Sequence, residues 1–272
     1  MGKIRKAVIP AAGLGSRFYP LTKAQPKEML PILDKPVIHY VVEEAVNAGL
    51  NEILIIVGKG KESIINYFDK HELDKLDISG VNKFPEIFFV RQKEQLGLAD
   101  AVRYSKAFVD DEPFLVLLGD TIYKSKNKTP VSKQLMNSFT KTDKTTIAIE
   151  EVPTEKIRDY GILSGKELPN KLFRVDDLIE KPEPKDAPSN LGITGLYALT
   201  PEIFDAIDRI KPGKNGEYQL TDALKILAKS DEVFGARFEG KRYDIGTKEL
   251  WIRTFFEFVK GDSKFNHILD NL

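Results

Sequence analysis

The sequence predicts an α/β domain built around a mixed sheet, and three observations lead to this prediction. Before residue 145, short apolar runs rich in β-branched residues alternate with longer amphipathic segments, as in a parallel sheet covered by helices. From residue 145 onward, extended segments separated by proline and glycine predominate, which predicts hairpins beside the parallel core. The chain has no internal repeat and no flexible linker, so its 272 residues are expected to form one continuous domain.

The first half supplies the predicted parallel strands and the helices that connect them. Strands are predicted over residues 7–11, 53–57, 87–90 and 114–118, and helices over residues 37–48, 64–69, 99–109 and 131–139. The first of these helices has the clearest pattern, because Val37, Val41 and Glu44 follow helical spacing and Gly49 stands where a helix commonly ends.

The second half is predicted to be mainly extended. Strands are expected over residues 145–152, 161–163, 172–179 and 192–199, and helices over residues 201–210, 220–229 and 250–259. The polar stretch 124–133 is interpreted as a surface loop. Together the two halves predict a mixed sheet.

Composition excludes several classes of function. The 41 basic and 41 acidic side chains cancel, so nucleic acid and anionic membranes are not expected as partners. The chain has no cysteine, which excludes disulfides, cysteine zinc sites and thiol nucleophiles, and His39, His71 and His267 do not have the spacing of a metal site. Neither a signal peptide nor a membrane-spanning run is apparent, so a cytoplasmic protein is expected.

A glycine-containing loop, AAGLGSR at residues 11–17, follows the first predicted strand. Gly13 and Gly15 allow backbone N–H groups to approach an anion closely. The loop is not a Walker motif, and Phe18 stands where a dinucleotide fingerprint needs its third glycine, which argues against a Rossmann dehydrogenase. Arg17 and Lys27 make the following segment basic, so it could hold a triphosphate; a glycine turn with solvated lysines is the alternative.

Two carboxylates and one charged pair complete the set of candidate residues. Asp120 ends a predicted buried strand, and Asp244 lies between an extended segment and a helix. Two such carboxylates suit Mg²⁺, which completes its shell with water and substrate phosphates, although a lone Asp at a strand end is more often a turn residue. Glu180 and Lys181 offer an acceptor and a cation together, and a solvated ion pair is the alternative interpretation.

The ordered succession of motifs resembles the bacterial and archaeal UTP–glucose-1-phosphate uridylyltransferases, within the sugar-phosphate nucleotidyltransferases. The matching stretches cover the chain almost from end to end: AVIPAAGLGSRFYPLTKAQPKEMLPILDKPVIHYVVEEA, FVRQKEQLGLADAV, PFLVLLGD, EVP followed by DYGIL, IEKPEPKDAPSN, TGLYALTPEIF, GEYQLTDAL and FEGKRYDIGTK. The resemblance implies a single Rossmann-like nucleotidyltransferase domain over residues 1–272, with a mixed, mostly parallel central sheet flanked by helices. Residues 1–120 would mainly bind nucleotide, and residues 121–272 would mainly bind sugar phosphate and contribute the C-terminal helices.

The resemblance also implies roles for individual residues of this sequence. Those expected to act on the phosphates are Arg17, Lys27 and Lys181. Those expected to bind the nucleotide are Ala11, Ala12, Gly13 and Gly15 through the backbone, and Gln92 and Gly97 at the base. Those expected to bind the sugar are Gly161, Glu180 and Asn190, and those expected to hold Mg²⁺ are Asp120 and Asp244.

The implied reaction transfers a uridylyl group from UTP to glucose 1-phosphate and gives UDP-glucose and pyrophosphate. A sugar 1-phosphate is largely dianionic at neutral pH, so it needs no general base, and the scarcity of histidine and cysteine fits this chemistry. The resemblance suggests a homodimer or homotetramer. A thymidylyltransferase or an enzyme that uses both UTP and dTTP is the first alternative, and a non-catalytic nucleotide-sugar-binding regulatory subunit is the second.

This sequence departs from the resembled pattern at several positions. Ser16 replaces the usual Thr of the glycine loop, and SNLGITGLY is closer to the thymidylyltransferase branch than to the usual uridylyl NLAIVGRY. Thr121 follows Asp120 where a second acid is common, so a cluster of two acids is not expected there. Asp100 stands where the family often has histidine, in GLADA. If Gln92 alone contacts the base, dTTP would be tolerated, because its extra methyl group changes binding by only ~1–3 kcal/mol.

Overall fold

The computed structural model describes residues 2–70, 84–213 and 216–271. His71, named above among the histidines, lies outside these residues. The strands are β1 (Lys6–Ala11), β2 (Pro31–Ile32), β3 (Lys35–Pro36), β4 (Glu52–Val57), β5 (Ile87–Arg91), β6 (Phe114–Leu117), β7 (Thr121–Ser125), β8 (Thr145–Glu151), β9 (Gly161–Glu167), β10 (Leu172–Glu180), β11 (Leu191–Leu199), β12 (Val233–Arg237) and β13 (Gly240–Asp244). The α-helices are α1 (Val37–Asn47), α2 (Glu62–Phe68), α3 (Leu98–Arg103), α4 (Lys106–Val109), α5 (Val131–Thr142), α6 (Glu202–Ile207), α7 (Leu220–Ala228) and α8 (Lys248–Gly261).

The N-terminal half forms the predicted parallel core. Strands β5, β4, β1 and β6 lie side by side in that order, and all three pairings between them are parallel. Side chains alternate between the two faces of β1: Val8 packs with the cluster that contains α3, α6 and α7 residues, and Ile9 packs with the cluster that contains α1 and α5 residues. The expected βαβ succession is therefore confirmed.

The C-terminal half continues the same sheet and then closes on itself. Strand β11 pairs antiparallel with β6 and β8, β8 pairs parallel with β12, and β12 leads through β10 to β9. Strand β9 then pairs with β11 at Gly192 and Ile162, so β8, β9, β10, β11 and β12 form a closed ring, called the barrel below.

The expected mixed sheet is confirmed, but the expectation of a mostly parallel sheet is wrong. Within the described chain this nine-stranded sheet has four parallel and five antiparallel pairings. Strand β11 accounts for three of the antiparallel pairings, with β6, β8 and β9, and the short connection between β9 and β10 accounts for another. The Rossmann-like description fits the N-terminal half only.

The stretch 124–133 is only partly a loop. Strand β7 includes Lys124 and Ser125 and pairs antiparallel with β13, forming a two-stranded ribbon outside the main sheet, and α5 begins at Val131. The ribbon places Asp244 opposite Thr121. The segment 99–109, predicted as one helix, forms α3 and α4 separated by a turn in which the Ser105 hydroxyl donates to Val102 O at 2.7 Å. Among the described residues, every helix is too short or too polar to span a bilayer.

A buried carboxylate joins two helices on one face of the sheet. Glu44 of α1 is 9% exposed, and its Oε1 accepts a hydrogen bond of 2.7 Å from the backbone N–H of Ser132 at the start of α5. Burial raises the pKa of Glu44 to about 7, although the hydrogen bonds from Ser132 oppose this effect. Glu44 therefore holds a proton in the folded chain at a pH where it would lose it in the unfolded chain.

This raised pKa predicts how the substitution Glu44→Gln changes stability. A carboxyl whose pKa is raised by folding contributes to the free energy of unfolding at low pH. This contribution is lost as pH rises through the folded-state pKa of about 7. Relative to wild type, Glu44→Gln is expected to gain about 2–3 kcal/mol of unfolding free energy between pH 5 and pH 8, because each pKa unit is worth ~1.4 kcal/mol. Urea denaturation at both pH values measures this difference.

A matched control is Glu239, an exposed carboxylate whose hydrogen bond with the Lys171 ammonium lowers its pKa, so the effect of Glu239→Gln on stability should stay nearly constant between pH 5 and pH 8. Equal pH dependence for both variants would contradict the raised pKa of Glu44.

Candidate active site

Two joined cavities lie at the carboxyl ends of the parallel strands, where open α/β sheets commonly bind ligands. The glycine-loop cavity, of about 400 Å³, is bordered by the residues that follow β1 and β5. The barrel cavity, of about 370 Å³, extends from the same loop to β9, β10 and β11. The residues that line both cavities, and so mark their junction, are Gly15, Ser16, Lys27, Leu98, Leu118, Asp120 and Glu217.

The glycine loop has one position that only glycine suits. Gly15 has φ +66°, and a Cβ there would lie 2.9 Å from the Thr22 side chain, whose hydroxyl donates to Gly15 O at 2.9 Å. The chain then forms a short 3₁₀ turn over Ser16–Phe18 and is anchored by Phe18, which is fully buried. This leaves Arg17 exposed, with its guanidinium 3.4 Å from Gly246 O.

A cation and a carboxylate meet at the junction of the cavities, and a second carboxylate lies beside them in the barrel cavity. The Lys27 ammonium donates to Asp120 Oδ2, and the backbone N–H of Ile245 donates to Asp120 O at 2.9 Å, which holds Asp244 beside Asp120. Burial by itself lowers the pKa of Lys27, but Asp120, Glu28 and Asp244 outweigh it and raise the pKa above the ordinary value. Burial, and then the charge of Asp120, raise the pKa of Asp244.

Arg242 links this cluster to the barrel. Its Nε donates to Glu150 at 2.8 Å, one terminal nitrogen donates to the Tyr160 hydroxyl at 2.8 Å, and the other lies 3.4 Å from Asp244 Oδ2. Burial opposes the charge of Arg242, but the facing acidic groups, first of all Glu150, raise its pKa above the ordinary arginine value. Sequence reasoning missed Arg242. Its position could have indicated this role, because a residue two positions before Asp244 in an extended segment lies on the same face as Asp244.

Glu180 and Lys181 lie on the far wall of the barrel cavity. The Thr221 hydroxyl donates to Glu180 Oε2 at 2.6 Å, and the Lys181 ammonium is 3.1 Å from Glu180 Oε1. Lys181 has φ +45°, a left-handed conformation held by a hydrogen bond of 3.0 Å from its N–H to Tyr160 O. A Cβ at Gly161 would come within 3.1 Å of both Glu180 Oε2 and the Thr221 hydroxyl, so glycine leaves these groups room.

Gln92 and Gly97 both line the glycine-loop cavity. Gln92 is 2% exposed, and its amide nitrogen donates to Asp100 Oδ2 at 2.7 Å. Gly97 has φ +101°, and a Cβ there would lie 2.6 Å from Tyr218 O, so no other residue fits. Hydrogen bonds from Tyr218 N to Leu96 O, at 2.7 Å, and from Ala99 N to Tyr218 O, at 3.0 Å, fix this loop against the segment before α7.

Most of the predicted site residues come together around these cavities. Those that line the barrel cavity are Gly15, Arg17, Lys27, Asp120, Gly161, Glu180, Lys181 and Asp244. Those that line the glycine-loop cavity are Ala12, Gly13, Gly15, Lys27, Gln92, Gly97 and Asp120. Two predicted residues line neither cavity: Ala11 is buried within β1, and Asn190 is exposed, with its carbonyl accepting from Val152 N at 2.9 Å. Thr221 and Glu217 line the barrel cavity and were not assigned from the sequence.

The donor set at the junction fits Mg²⁺. Asp120 and Asp244 lie next to each other, and no cluster of three or more His, Cys, Asp or Glu side chains suited to a metal occurs among the described residues. Mg²⁺ is commonly held by one or two protein carboxylates together with substrate phosphates. The charge of Asp120 raises the pKa of Asp244, and a divalent cation between the two would relieve this repulsion.

Comparison with known proteins shows which family the chain belongs to. The family model described as "Nucleotidyl transferase" matches residues 6–258. The chain is 46% identical over 290 residues to a protein of Streptococcus pyogenes named UTP–glucose-1-phosphate uridylyltransferase, covering 99% of this chain and 95% of that one.

Solved structures match over similar lengths. A UDP-glucose pyrophosphorylase complexed with UDP-glucose superposes with a TM-score of 0.90 at 41% identity, covering 95% of this chain and 100% of that one. A UTP-bound UGPase from Acinetobacter baumannii gives 0.88 at 32% identity, with 98% of both chains covered. A family match over most of the chain, together with these similarities, shows that the protein belongs to the nucleotidyl transferase family.

Proposed function

We propose that this protein transfers a uridylyl group from UTP to α-D-glucose 1-phosphate, releasing pyrophosphate and forming UDP-glucose. The observation that carries the proposal is the junction of two cavities at Lys27 and Asp120, with Asp244, Arg17 and Lys181 lining the barrel cavity around it. The similarity to proteins named for this activity, over nearly the whole chain, supports the same substrates.

The residues around the cavities suit attack by one phosphate on another. The sugar phosphate is its own nucleophile, because its second pKa near ~6 leaves it largely dianionic at neutral pH. None of the described residues that line the two cavities is a histidine, so the chemistry does not depend on an imidazole base there. The work of the site is to overcome repulsion between two anions and to align them.

The cations are proposed to act on different phosphates. Lys27, whose pKa is raised, stays charged at the junction and neutralises negative charge next to the α-phosphate. Arg17 is exposed at the mouth and is free to bind the outer phosphates that leave as pyrophosphate. Lys181 is held 3.1 Å from Glu180 at the opposite wall, where it can bind the sugar phosphate while Glu180 accepts from sugar hydroxyls.

Asp120 and Asp244 are proposed to hold Mg²⁺. When bound, the ion would screen the charge of the phosphates during transfer. Arg242 contacts Asp244 and Glu150 and so fixes the side chain of Asp244 toward the junction. In this scheme residues 1–120 mainly bind the nucleotide and residues 121–272 mainly bind the sugar phosphate. All described residues that line the glycine-loop cavity, except Glu217, lie in 1–120, and most that line the barrel cavity lie in 121–272, which supports that division.

The alternatives are a thymidylyl or dual-specificity enzyme and a non-catalytic regulatory subunit. Thymine differs from uracil only by a methyl group, so dTTP is expected to be a weaker substrate and not an excluded one. A regulatory subunit would have no need for Arg17, Lys27, Asp120, Lys181 and Asp244 around one pair of joined cavities. The uridylyltransferase is therefore favoured.

A homodimer or homotetramer is also proposed. Helix α8 exposes Ile252 and Phe256, which are 48% and 49% accessible, on the surface of the chain. Such exposed apolar side chains on one helix are consistent with contact between copies of the chain. Light scattering coupled to gel filtration measures the assembly directly.

The proposed activity is tested by measuring pyrophosphate release from a panel of nucleoside triphosphates and hexose 1-phosphates, with and without Mg²⁺. UTP with glucose 1-phosphate is expected to give the highest kcat/KM, and omission of Mg²⁺ is expected to abolish turnover. Equal or greater rates with dTTP would favour the thymidylyl alternative. Binding of UDP-glucose without turnover of any pair would favour the regulatory subunit.

The substitution Asp120→Asn is expected to lower kcat/KM by roughly 100-fold or more, because it removes one of two charges facing the ion and the partner of Lys27. Pyrophosphate release across a Mg²⁺ titration measures this loss, and cooperative thermal unfolding checks that the fold is retained. Asp69→Asn, at an exposed position outside both cavities, is the matched control and should keep wild-type rates. Wild-type turnover in Asp120→Asn would refute the role of this carboxylate.

The substitution Lys181→Met is expected to raise KM for glucose 1-phosphate roughly tenfold or more and to lower kcat, while changing KM for UTP little. The reason is that Lys181 lines the barrel cavity, where the sugar phosphate is proposed to bind, and does not line the glycine-loop cavity. Initial rates with each substrate varied in turn give the constants. Lys185→Met is the control, since Lys185 is exposed and lines neither cavity. If the KM for UTP rose instead, the proposed division of the site would be wrong.

A further inference from the structure

We infer that Asp100 is a positioning residue that fixes the orientation of the Gln92 amide and thereby makes this chain select uracil over cytosine. The inference rests on the proposed function and concerns how its nucleotide is chosen. Asp100 lies in α3, behind Gln92 as seen from the glycine-loop cavity: Gln92 lines that cavity and Asp100 does not. Its effect on the base would therefore act through Gln92.

The contacts of the Gln92 side-chain amide show which end is the nitrogen and which is the carbonyl oxygen. Asp100 Oδ2 lies 2.7 Å and Gly97 O lies 3.5 Å from the same end of the amide. A carboxylate and a backbone carbonyl only accept hydrogen bonds, so the end that faces both must be the amide nitrogen. The carbonyl oxygen, Oε1, points the other way, and in the described part of the chain it has no hydrogen-bond partner.

The surroundings hold this arrangement in place. Gln92 is 2% exposed and Asp100 is 6% exposed, so water cannot compensate for a reversed amide. The backbone of Gln92 is tied to β4 by a hydrogen bond of 2.9 Å to Val57 O, and Asp100 Oδ1 is 3.5 Å from the Arg103 guanidinium. Rotating the amide by 180° would place Oε1 against a carboxylate, and two acceptors would face each other in a buried site.

The fixed orientation has a direct consequence for the base. A uracil ring presents its N3–H as a donor, whereas cytosine has an acceptor at N3 and a donor amino group beside it. Oε1 of Gln92 can accept from the N3–H of uracil but repels the N3 lone pair of cytosine. Thymine carries the same N3–H as uracil, so Asp100 would not separate UTP from dTTP.

The test compares three nucleotides in two isosteric variants. Asparagine at position 100 can donate as well as accept, so Asp100→Asn allows the Gln92 amide to turn and present its nitrogen to cytosine. We expect the ratio of kcat/KM for UTP over CTP to fall by roughly tenfold or more in Asp100→Asn, with the UTP over dTTP ratio unchanged within about twofold. Asp208→Asn is the matched control, because Asp208 also faces Arg103, at 3.5 Å, but is 59% exposed and does not touch Gln92.

Two further measurements separate positioning from structure. Asp100→Glu retains an acceptor-only carboxylate and is expected to keep the UTP preference better than Asp100→Asn does. Calorimetric binding of UMP and CMP does not need turnover, so it tests the inference even if the proposed transfer reaction fails. In that assay the preference for UMP should be strong in the wild type and weakened in Asp100→Asn.

Several results would overturn the inference. One is an unchanged UTP over CTP ratio in an Asp100→Asn variant that unfolds cooperatively. Another is an equal loss with UTP, dTTP and CTP, which would mean that Asp100 only supports the fold. A third is the same change in Asp208→Asn, which would assign the effect to charge near Arg103. A wild type that releases no pyrophosphate with any substrate pair would instead refute the proposed function and leave the UMP and CMP binding result to decide the inference.

Discussion

The pairing of β7 with β13 is the constraint on which the site depends. Asp120 and Asp244 are far apart in sequence, and the two-stranded ribbon brings them together by placing Asp244 opposite Thr121, directly after Asp120. The hydrogen bond from Ile245 N to Asp120 O closes the end of the ribbon at the junction of the two cavities. Without this pairing, Lys27 would lose the charge of Asp244, and Asp120 would lose the neighbouring carboxylate with which it is proposed to hold Mg²⁺.

Charges of both signs lie together around the junction, and the carboxylates raise the pKa values of the buried cations Lys27 and Arg242. Lys27 contacts Asp120, Asp120 lies beside Asp244, and Arg242 joins Asp244 to Glu150. Each cation is held by at least one carboxylate, so its position is fixed before a phosphate arrives. A site prepared in this way needs little rearrangement when charge develops during transfer.

The sequence predicted those features that depend on the local pattern of one segment. The strand that ends before Asp120, the glycine loop at residues 11–17 and the βαβ order were all predictable, because local periodicity and glycine placement decide them. Barrel closure was not, since it rests on one contact between Gly192 and Ile162 that no local pattern specifies. Arg242 was overlooked because its partners come from β8 and from the loop before β9. Asp100 was visible as a departure from the family pattern, but its meaning required seeing Gln92 beside it.

Two hydrogen bonds join the loop at Gly97 to the backbone of Tyr218, so the number of residues in each of these segments matters for the site. The hydrogen bonds of Tyr218 with Leu96 and Ala99 involve only its backbone, while its ring packs against the Arg103 guanidinium. An insertion or deletion between Gly216 and α7 would shift the register of these bonds and move Gly97 away from its neighbour. The same segment leads into Thr221, whose hydroxyl donates to Glu180. One such change would therefore disturb both the loop at Gly97 and the Glu180 wall of the barrel cavity. The residue spacing of this segment is therefore constrained at both ends, by Tyr218 and by Thr221.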